Sequence, residues 1–257
     1  MYLEKLRLDG RIAVVTGGGG GIGLACAMAL AEAGARVVVA DLDAARAESG
    51  AQAVVDAGGM GESVEIDVTR TSTVTDAAAE ILGRHGRIDV LVCNAGIVTS
   101  EVKAEDVDDA LWLRQIDVNL NGVFRCCREF GRVMLDQGRG SIVNIGSMAG
   151  SIVVRPQEQV AYNASKAGVH HLTRTLAAEW ADRNVRVNCV APTYIETPLT
   201  RFGMGNPRLY DQWLANTPMR RVGQPHEIAS VVHFLASDAA SLMTGSIVYA
   251  DAGYTAW

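Results

Sequence analysis

Tyr162 and Lys166 lie four residues apart in an Ala-rich segment of helical pattern, so their side chains project from the same face of a helix. An ammonium beside a phenol favours the phenolate, and we expect Lys166 to lower the pKa of Tyr162 from its usual value of ~10. A phenol tuned in this way can take or give the proton of a hydroxyl group. The spacing alone does not establish this chemistry, because unrelated surface residues more often account for such a pair.

A glycine-rich turn lies near the start of the chain, where Thr16 is followed by five glycines at 17–21, then by Ile22 and Gly23. The free N–H groups and the dipole at a helix start favour a pyrophosphate, and only glycine lets the backbone approach it closely. The turn lacks the Gly-Lys-Ser/Thr ending of a nucleoside-triphosphate loop. It therefore predicts a dinucleotide site with contacts at Gly17, Gly21, Ile22 and Gly23.

Asp41 ends the next β-branched run, 18 residues after Gly23. An acidic residue at roughly this offset accepts hydrogen bonds from the adenosine ribose hydroxyls. A carboxylate would also repel a 2′-phosphate, and no Arg or Lys occurs in the glycine turn or directly after Asp41 to bind one. The pattern predicts NAD as the cofactor. The alternative is that Asp41 only caps the next helix, but Asp43 is better placed to cap a helix that starts at Ala44.

Short β-branched runs alternate with longer helical patterns along the chain. This order predicts an α/β fold, a single Rossmann-type doubly wound parallel sheet of about seven strands with helices on both faces. The predicted strands span 11–16, 36–40, 63–66, 88–93, 141–145, 185–190 and 245–249. The predicted helices span 22–33, 44–57, 73–85, 106–136, 161–182 and 226–237, and the fourth is long enough for two helices that meet near 119–122.

The composition fits one globular domain over residues 1–257, because 49% of the residues are hydrophobic, 20% are charged and no stretch resembles a linker. Pro, Gly and aromatic residues interrupt the alternation at 197–222, where we expect a substrate lid. The net charge of −6 comes without a basic stretch, which argues against nucleic acid as a partner. The five cysteines lack metal-ligand spacing, so we expect reduced thiols and no metal. Without a signal peptide or a long apolar stretch, we expect a cytoplasmic protein with no membrane partner.

Five motifs occur in a fixed order along the chain. They are the glycine turn, Asn94-Ala95-Gly96 after the fourth strand, Asn119 between two helices, Ser147 after the fifth strand, and the Tyr162 and Lys166 pair. Together they resemble the short-chain dehydrogenase/reductase family, in its classical subgroup, and the resemblance extends from residue 8 to residue 254. It implies reversible hydride transfer between a nicotinamide and a carbonyl or alcohol carbon, with a small-molecule alcohol or ketone as substrate.

The resemblance implies a catalytic set of Asn119, Ser147, Tyr162 and Lys166. Tyr162 would remove the hydroxyl proton in alcohol oxidation, and Ser147 would hydrogen-bond the same oxygen. Lys166 would lower the pKa of Tyr162 and grip the nicotinamide ribose. Asn119 would hold a water in a proton path from Lys166 to solvent. Alternatively, the Asn119 side chain satisfies backbone groups at a helix kink.

The resemblance also implies cofactor contacts at the carboxyl ends of the strands. Asp67 and Val68 would meet the adenine edge, and residues 94–96 would lie beneath the adenosine ribose. The Ile195 backbone and Thr197 would bind the nicotinamide carboxamide and so choose the face that donates hydride. The full expected set is Gly17, Gly21, Ile22, Gly23, Asp41, Leu42, Asp67, Val68, Asn94, Ala95, Gly96, Tyr162, Lys166, Pro192, Ile195 and Thr197.

The chain departs from the family pattern near the expected substrate. Thr193 stands where the family usually has glycine, and the loop between Ser147 and Tyr162 is longer than usual. The segment 147–157, the lid and the ending 253–257 resemble bacterial polyol dehydrogenases of the galactitol type. The expected substrate pocket consists of Ser147, Ala149, Val154, Gln157, Tyr162 and Thr193.

The polarity of this pocket leaves the substrate open. Gln157 and Thr193 could hydrogen-bond a polyol, whereas Ala149 and Val154 suit a less polar secondary alcohol or ketone.

Two alternative functions also stay open. A NADP-dependent 3-oxoacyl-carrier-protein reductase shares the motifs, but Asp41 opposes its cofactor and we expect no basic patch near the lid for an acidic carrier. The other is a non-catalytic NAD-binding regulator, because a fold alone does not fix function. By resemblance we expect a homotetramer, with Trp257 buried at a subunit contact.

Overall fold

Seven parallel strands form one sheet in the computed structural model, which describes residues 1–257. They lie in the spatial order β3-β2-β1-β4-β5-β6-β7. The predicted seven-stranded parallel sheet is therefore confirmed. The strands are β1 (Ile12–Thr16), β2 (Arg36–Asp41), β3 (Met60–Glu65), β4 (Val90–Cys93), β5 (Gly140–Ile145), β6 (Val185–Pro192) and β7 (Ile247–Ala250).

Nine α-helices accompany the sheet. Apolar residues of the first, second and ninth helices pack on one face of the sheet, and those of the third, fifth and sixth pack on the other. The predicted doubly wound arrangement is thus confirmed. The helices are α1 (Gly21–Glu32), α2 (Ala44–Asp56), α3 (Thr71–His85), α4 (Asp109–Ile116), α5 (Gly122–Asp136), α6 (Val160–Trp180), α7 (Arg201–Met204), α8 (Pro207–Asn216) and α9 (Pro225–Ala236).

The strands read as continuous apolar runs because both faces of the sheet are covered. In β1, Val14 lies in the core beneath α3, α5 and α6, whereas Ala13 and Val15 lie in the core beneath α1, α2 and α9. β3 begins at Met60, earlier than predicted. Gly61 carries no strand signal but lets α2 pack closely, since a Cβ there would lie 2.3 Å from the Ala51 carbonyl oxygen.

The direction of winding reverses at β1. From β1 the chain adds β2 and β3 toward one edge, then returns to place β4 on the opposite side of β1. Connections that diverge in this way leave a crevice at the carboxyl ends of the two central strands, where ligands bind in open α/β sheets.

The predicted helical segment 106–136 consists of α4 and α5, joined by a π-helical turn at Asp117–Asn121. This turn lies at the expected meeting point. The predicted lid segment contains α7 and α8, and none of the nine helices has the length and apolarity needed to cross a bilayer.

Candidate active site

The glycine turn connects β1 to α1 along a tightly packed path. Gly17 and Gly21 have φ values of 62° and 54°, a region that favours glycine. A Cβ on Gly23 would lie 2.2 Å from the Gly17 carbonyl oxygen and 2.5 Å from Nδ2 of Asn94. That same Nδ2 donates hydrogen bonds to the carbonyls of Thr16 (3.1 Å) and Gly17 (2.9 Å). The expected ribose-contact segment 94–96 therefore also fixes the shape of the turn.

The start of α1 fits a phosphate group. The N-cap residue is Gly20, and no side chain caps the helix, so the first N–H groups of the helix lack a side-chain acceptor. A Cβ on Gly21 would come within 3.4 Å of the Thr197 side chain, which brings the turn beside the segment that follows β6. An uncapped, glycine-lined helix start is what a dinucleotide pyrophosphate requires.

Asp41 lies at the carboxyl end of β2 beside this turn. Its side chain is buried, and Oδ2 accepts a hydrogen bond of 3.1 Å from the Gly19 N–H. Asp43 caps α2, as predicted, by accepting from the N–H groups of Ala45 and Arg46.

One basic residue near the turn was missed by the sequence analysis. Nη2 of Arg46 lies 3.3 Å from the position that a Cβ of Gly20 would occupy. Arg46 is five positions beyond Asp41, but the first turn of α2 folds it back over the glycines. No Arg or Lys lies in the turn or directly after Asp41, as expected, but Arg46 brings a guanidinium group close to the turn.

The remaining expected adenosine contacts lie along the same edge. Oδ1 of Asp67 accepts hydrogen bonds from the N–H (2.9 Å) and the hydroxyl (2.6 Å) of Thr69. Val68 is buried, whereas Leu42 is exposed. A Cβ on Gly96 would lie 3.7 Å from Nζ of Lys166, so the segment expected to contact the ribose reaches α6.

Tyr162 and Lys166 share one face of α6, as predicted. Nζ of Lys166 lies 5.7 Å from the centroid of the Tyr162 ring and donates a hydrogen bond of 2.8 Å to the Ile145 carbonyl at the end of β5. Burial lowers the pKa of Lys166 to about 8.

The pKa of Tyr162 shifts in a direction that the spacing did not predict. Burial raises it, and the Ser147 hydroxyl rather than Lys166 opposes the rise. We expected Lys166 to lower it. The difference arises because the sequence does not reveal how strongly burial acts on the phenol.

Asn119 lies in the π-helical turn and is fully buried. Its Oδ1 accepts from the Ile97 N–H at 2.8 Å, and its Nδ2 donates to the Ile97 carbonyl (2.8 Å) and to the Ser165 hydroxyl (3.2 Å). Both amide hydrogens are thus used within the protein. This geometry agrees with the alternative interpretation of Asn119, in which the side chain satisfies backbone groups and ties the loop after β4 to α6.

Ser147 follows β5, and its Oγ accepts a hydrogen bond of 3.1 Å from the Ala149 N–H. Ser147 and Tyr162 both line the same cavity. All six expected substrate residues line this cavity. The sequence analysis missed nine further lining residues, which are Val98, Ser100, Met148, Gln159, Tyr194, Leu199, Thr200, Phe202 and Trp213.

The segment after β6 forms one wall between this cavity and the glycine turn. Ile195 forms a parallel bridge with Gly223, and its carbonyl accepts a hydrogen bond of 2.5 Å from the Thr200 hydroxyl. The same hydroxyl oxygen accepts from the Thr197 N–H at 3.1 Å. These hydrogen bonds attach the start of the lid, at Thr200, to the segment expected to contact the nicotinamide.

Comparison with known proteins agrees with this architecture. A family model described as enoyl-(acyl carrier protein) reductase matches residues 17–255. Galactitol 2-dehydrogenase from Rhizobium johnstonii is 55% identical over 100% of this chain and 99% of its own. The crystal structure of gox2181 is 62% identical, with a TM-score of 0.99 and full coverage of both chains.

A second solved structure carries ligands. The gluconate 5-dehydrogenase from Burkholderia cenocepacia, in complex with NADP and tartrate, is 36% identical, with a TM-score of 0.95 over 100% of both chains. The five sequence motifs, the sheet order and these matches agree along the whole length of the chain. The protein belongs to the short-chain dehydrogenase/reductase family.

Proposed function

We propose that the protein is an NAD-dependent dehydrogenase that reversibly converts a secondary alcohol of the polyol or sugar-alcohol class into its ketone. The observation that carries the proposal is the convergence of Ser147 and Tyr162 on a cavity whose lining contains no charged side chain. Such a cavity suits a neutral alcohol. The galactitol 2-dehydrogenase relative, similar over its full length, supports the same substrate class.

A nicotinamide cofactor would supply the hydride acceptor in this reaction. The glycine turn would hold its pyrophosphate, Asp41 its adenosine ribose, and Thr197 with the Ile195 backbone its carboxamide. Lys166 has a single hydrogen-bond partner in the protein, the Ile145 carbonyl, and its remaining N–H donors suit the nicotinamide ribose.

The chain's own residues would move the proton. In alcohol oxidation Tyr162 would take the hydroxyl proton, and Ser147 would hydrogen-bond the same oxygen. In ketone reduction both roles reverse, and the raised pKa of Tyr162 favours the protonated phenol that this direction needs. Asn119 would act indirectly, because its hydrogen bonds to Ile97 and Ser165 hold the loop after β4 against α6.

NAD is the cofactor that the buried carboxylate of Asp41 favours. Arg46 argues in part the other way, since its guanidinium lies over the glycine turn and could pair with a 2′-phosphate. We expect NAD to be preferred and NADP to be used less efficiently.

Reduction of 3-oxoacyl groups on a carrier protein is the second candidate, and one observation favours it. The segment 197–222 carries four arginines, contrary to the expected absence of a basic patch. Arg208 pairs with Glu101 and Arg221 with Glu227, but Arg201 and Arg220 are exposed and form no ion pair. Two unpaired cations offer weak attraction to an acidic carrier.

An initial-rate screen separates these candidates. Polyols, simple secondary alcohols and a 3-oxoacyl thioester should be compared with NAD and NADP side by side. We expect the highest kcat/KM for a polyol with NAD. Faster reduction of the thioester with NADPH would replace our proposal by the second candidate.

We further propose that residues 1–257 act as one catalytic domain with a lid at 197–222, and that the protein is a homotetramer. Trp257 is 76% exposed in the protomer and would be covered at a subunit contact. Gel filtration should give about four times the protomer mass, and a monomer would refute this.

A further inference from the structure

Two residues that line the cavity beside Tyr162 each carry a buried polar atom that has no hydrogen-bond partner in the protein. The two atoms are Nε1 of Trp213 and Oγ1 of Thr193. The third such atom in the chain, Nε2 of His170, does not belong to the cavity lining. Buried polar groups are nearly always paired, so two exceptions in one cavity lining indicate groups that a ligand satisfies.

The indole of Trp213 is held rigidly. Its ring stacks on Tyr194 with centroids 4.0 Å apart and planes at 9°. A Cβ on Gly203 would lie only 2.0 Å from Cη2 of Trp213, so α7 packs against the far edge of the ring. The ring cannot turn its N–H away, and this N–H can only donate, so the group it meets must offer an oxygen lone pair.

Thr193 stands at the end of β6, where its N–H donates to the Ala250 carbonyl at 3.4 Å. The family usually has glycine at this position, and glycine would supply no hydroxyl here. It can donate or accept.

A third polar group on the same wall is oriented by a neighbouring phenol. The Tyr194 hydroxyl donates a hydrogen bond of 2.9 Å to Oε1 of Gln157. The carbonyl side of this amide is therefore occupied, and Nε2 of Gln157 has no protein acceptor. Gln157 and Trp213 thus both offer N–H donors, arranged around the Tyr194 ring.

The hydrogen-bonding groups of Trp213, Thr193 and Gln157 outnumber those that the single hydroxyl of a mono-alcohol can satisfy. The one oxygen of a mono-alcohol would be taken up by Tyr162 and Ser147, which leaves the other wall unsatisfied. Carboxylate substrates are disfavoured too, because the fifteen lining residues include no Lys, Arg or His.

We propose that Trp213 and Thr193 are specificity-determining residues that hydrogen-bond substrate hydroxyl groups other than the one that reacts. The site then selects an uncharged polyol over a mono-alcohol and over a sugar acid. This inference rests on the proposed dehydrogenase function and adds the residues that recognise the substrate class.

The test compares galactitol with hexan-2-ol in the wild type and in the variants Trp213→Phe and Thr193→Val. Each variant removes one hydrogen-bonding group and keeps most of the side-chain volume. We expect the ratio of kcat/KM for galactitol to that for hexan-2-ol to fall about five- to tenfold in each variant. Gluconate should be a poor substrate of all three proteins.

Two controls accompany the variants. Thr193→Ser keeps the hydroxyl and should retain the wild-type ratio. Tyr210→Phe removes a hydroxyl from a ring that contacts Trp213 edge-on but does not line the cavity, and it should also leave the ratio unchanged. Thermal unfolding of each variant checks that the fold is intact.

The possible outcomes separate the two proposals. A wild type that oxidises galactitol, together with folded variants whose ratio is unchanged, would overturn the assignment of Trp213 and Thr193 and leave the dehydrogenase proposal standing. A wild type that oxidises neither alcohol with either nicotinamide cofactor would overturn both.

Discussion

The two halves of the candidate site are built in different ways. The cofactor half, comprising residues 17–23, Asp41 and residues 94–96, is shaped largely by backbone: Gly17, Gly18, Gly19 and Gly23 approach neighbouring backbone atoms too closely for a Cβ, and Asn94 hydrogen-bonds the turn carbonyls. The substrate half, comprising the cavity lining, is shaped by side chains from the loops after β4 and β5, the start of α6 and the lid. The cofactor half therefore tolerates little variation, whereas the substrate half can change its ligand through single side chains.

Tyr162→Phe should produce the largest effect. It should impair the chemistry of the substrate half and leave cofactor binding by the other half nearly unchanged. Removing the phenol oxygen takes away the proton acceptor, so we expect kcat to fall by about 10²–10⁴-fold. Cofactor affinity should stay within about twofold, measured by fluorescence titration with NADH. Turnover close to the wild-type value would show instead that the protein's chemistry does not use the Tyr162 hydroxyl.

Gly23→Ala should disrupt the glycine turn of the cofactor half by a steric clash alone. The new methyl would meet the Gly17 carbonyl oxygen at 2.2 Å, and neither this backbone nor the Asn94 amide can yield without opening the turn. We expect a loss of about 1–3 kcal/mol in the free energy of unfolding, together with loss of NADH binding.

The matched control for this change is Gly83→Ala in α3, where no atom lies within 4 Å of the new methyl. Alanine is the better helix former, so this variant should gain about 0.5–1 kcal/mol. Chemical denaturation measures both changes. Equal effects of the two substitutions would contradict the packing argument.

The difference between the halves also explains what the sequence could predict. Residues in the cofactor half follow one another at spacings set by strand, turn and helix, so Gly17, Gly23 and Asp41 can be located from the pattern alone. The six expected pocket residues all line the cavity, because they too lie next to recognisable strand ends or on α6. Trp213 gives no such signal, since its position depends on how the lid folds back over the cavity.

Errors in the sequence analysis have the same origin. Arg46 was missed because only the three-dimensional path of α2 returns it to the glycine turn. The expected direction of the Tyr162 pKa shift was wrong because burial, which spacing does not encode, raises this pKa and outweighs the opposing hydrogen bond to Ser147.

Lys166 lies between the halves, and its burial gives a pH-dependent prediction. Its pKa is about 8 in the folded protein and ~10.4 in the unfolded chain, so between these values the unfolded state binds more protons and stability rises with pH. Lys166→Met removes this cost. We expect the variant to be more stable than the wild type at pH 7 by on the order of 2 kcal/mol, with the gap closing as the pH rises from about 8 toward ~10.4. A gap that is constant over this interval in denaturant titrations would mean that Lys166 keeps its ordinary pKa.

We expect the smallest effect for substitutions in the cofactor half that alter the preference between NAD and NADP. Asp41→Asn keeps an oxygen near the Gly19 N–H, 3.1 Å away in the wild type, and removes only the negative charge. Because the repulsion of a 2′-phosphate depends on that charge, we expect the ratio of kcat/KM for NADP to that for NAD to rise about tenfold.

Arg46→Ala should act in the opposite direction, lowering the use of NADP by about threefold to tenfold, because the exposed guanidinium would pair with the extra phosphate. In the double variant the two effects should largely cancel if Asp41 and Arg46 act independently on the 2′ position. An unchanged cofactor ratio in Asp41→Asn would instead mean that the shape of the turn, and not its charge, selects the cofactor. In that case even cofactor choice in this half would be a property of the backbone.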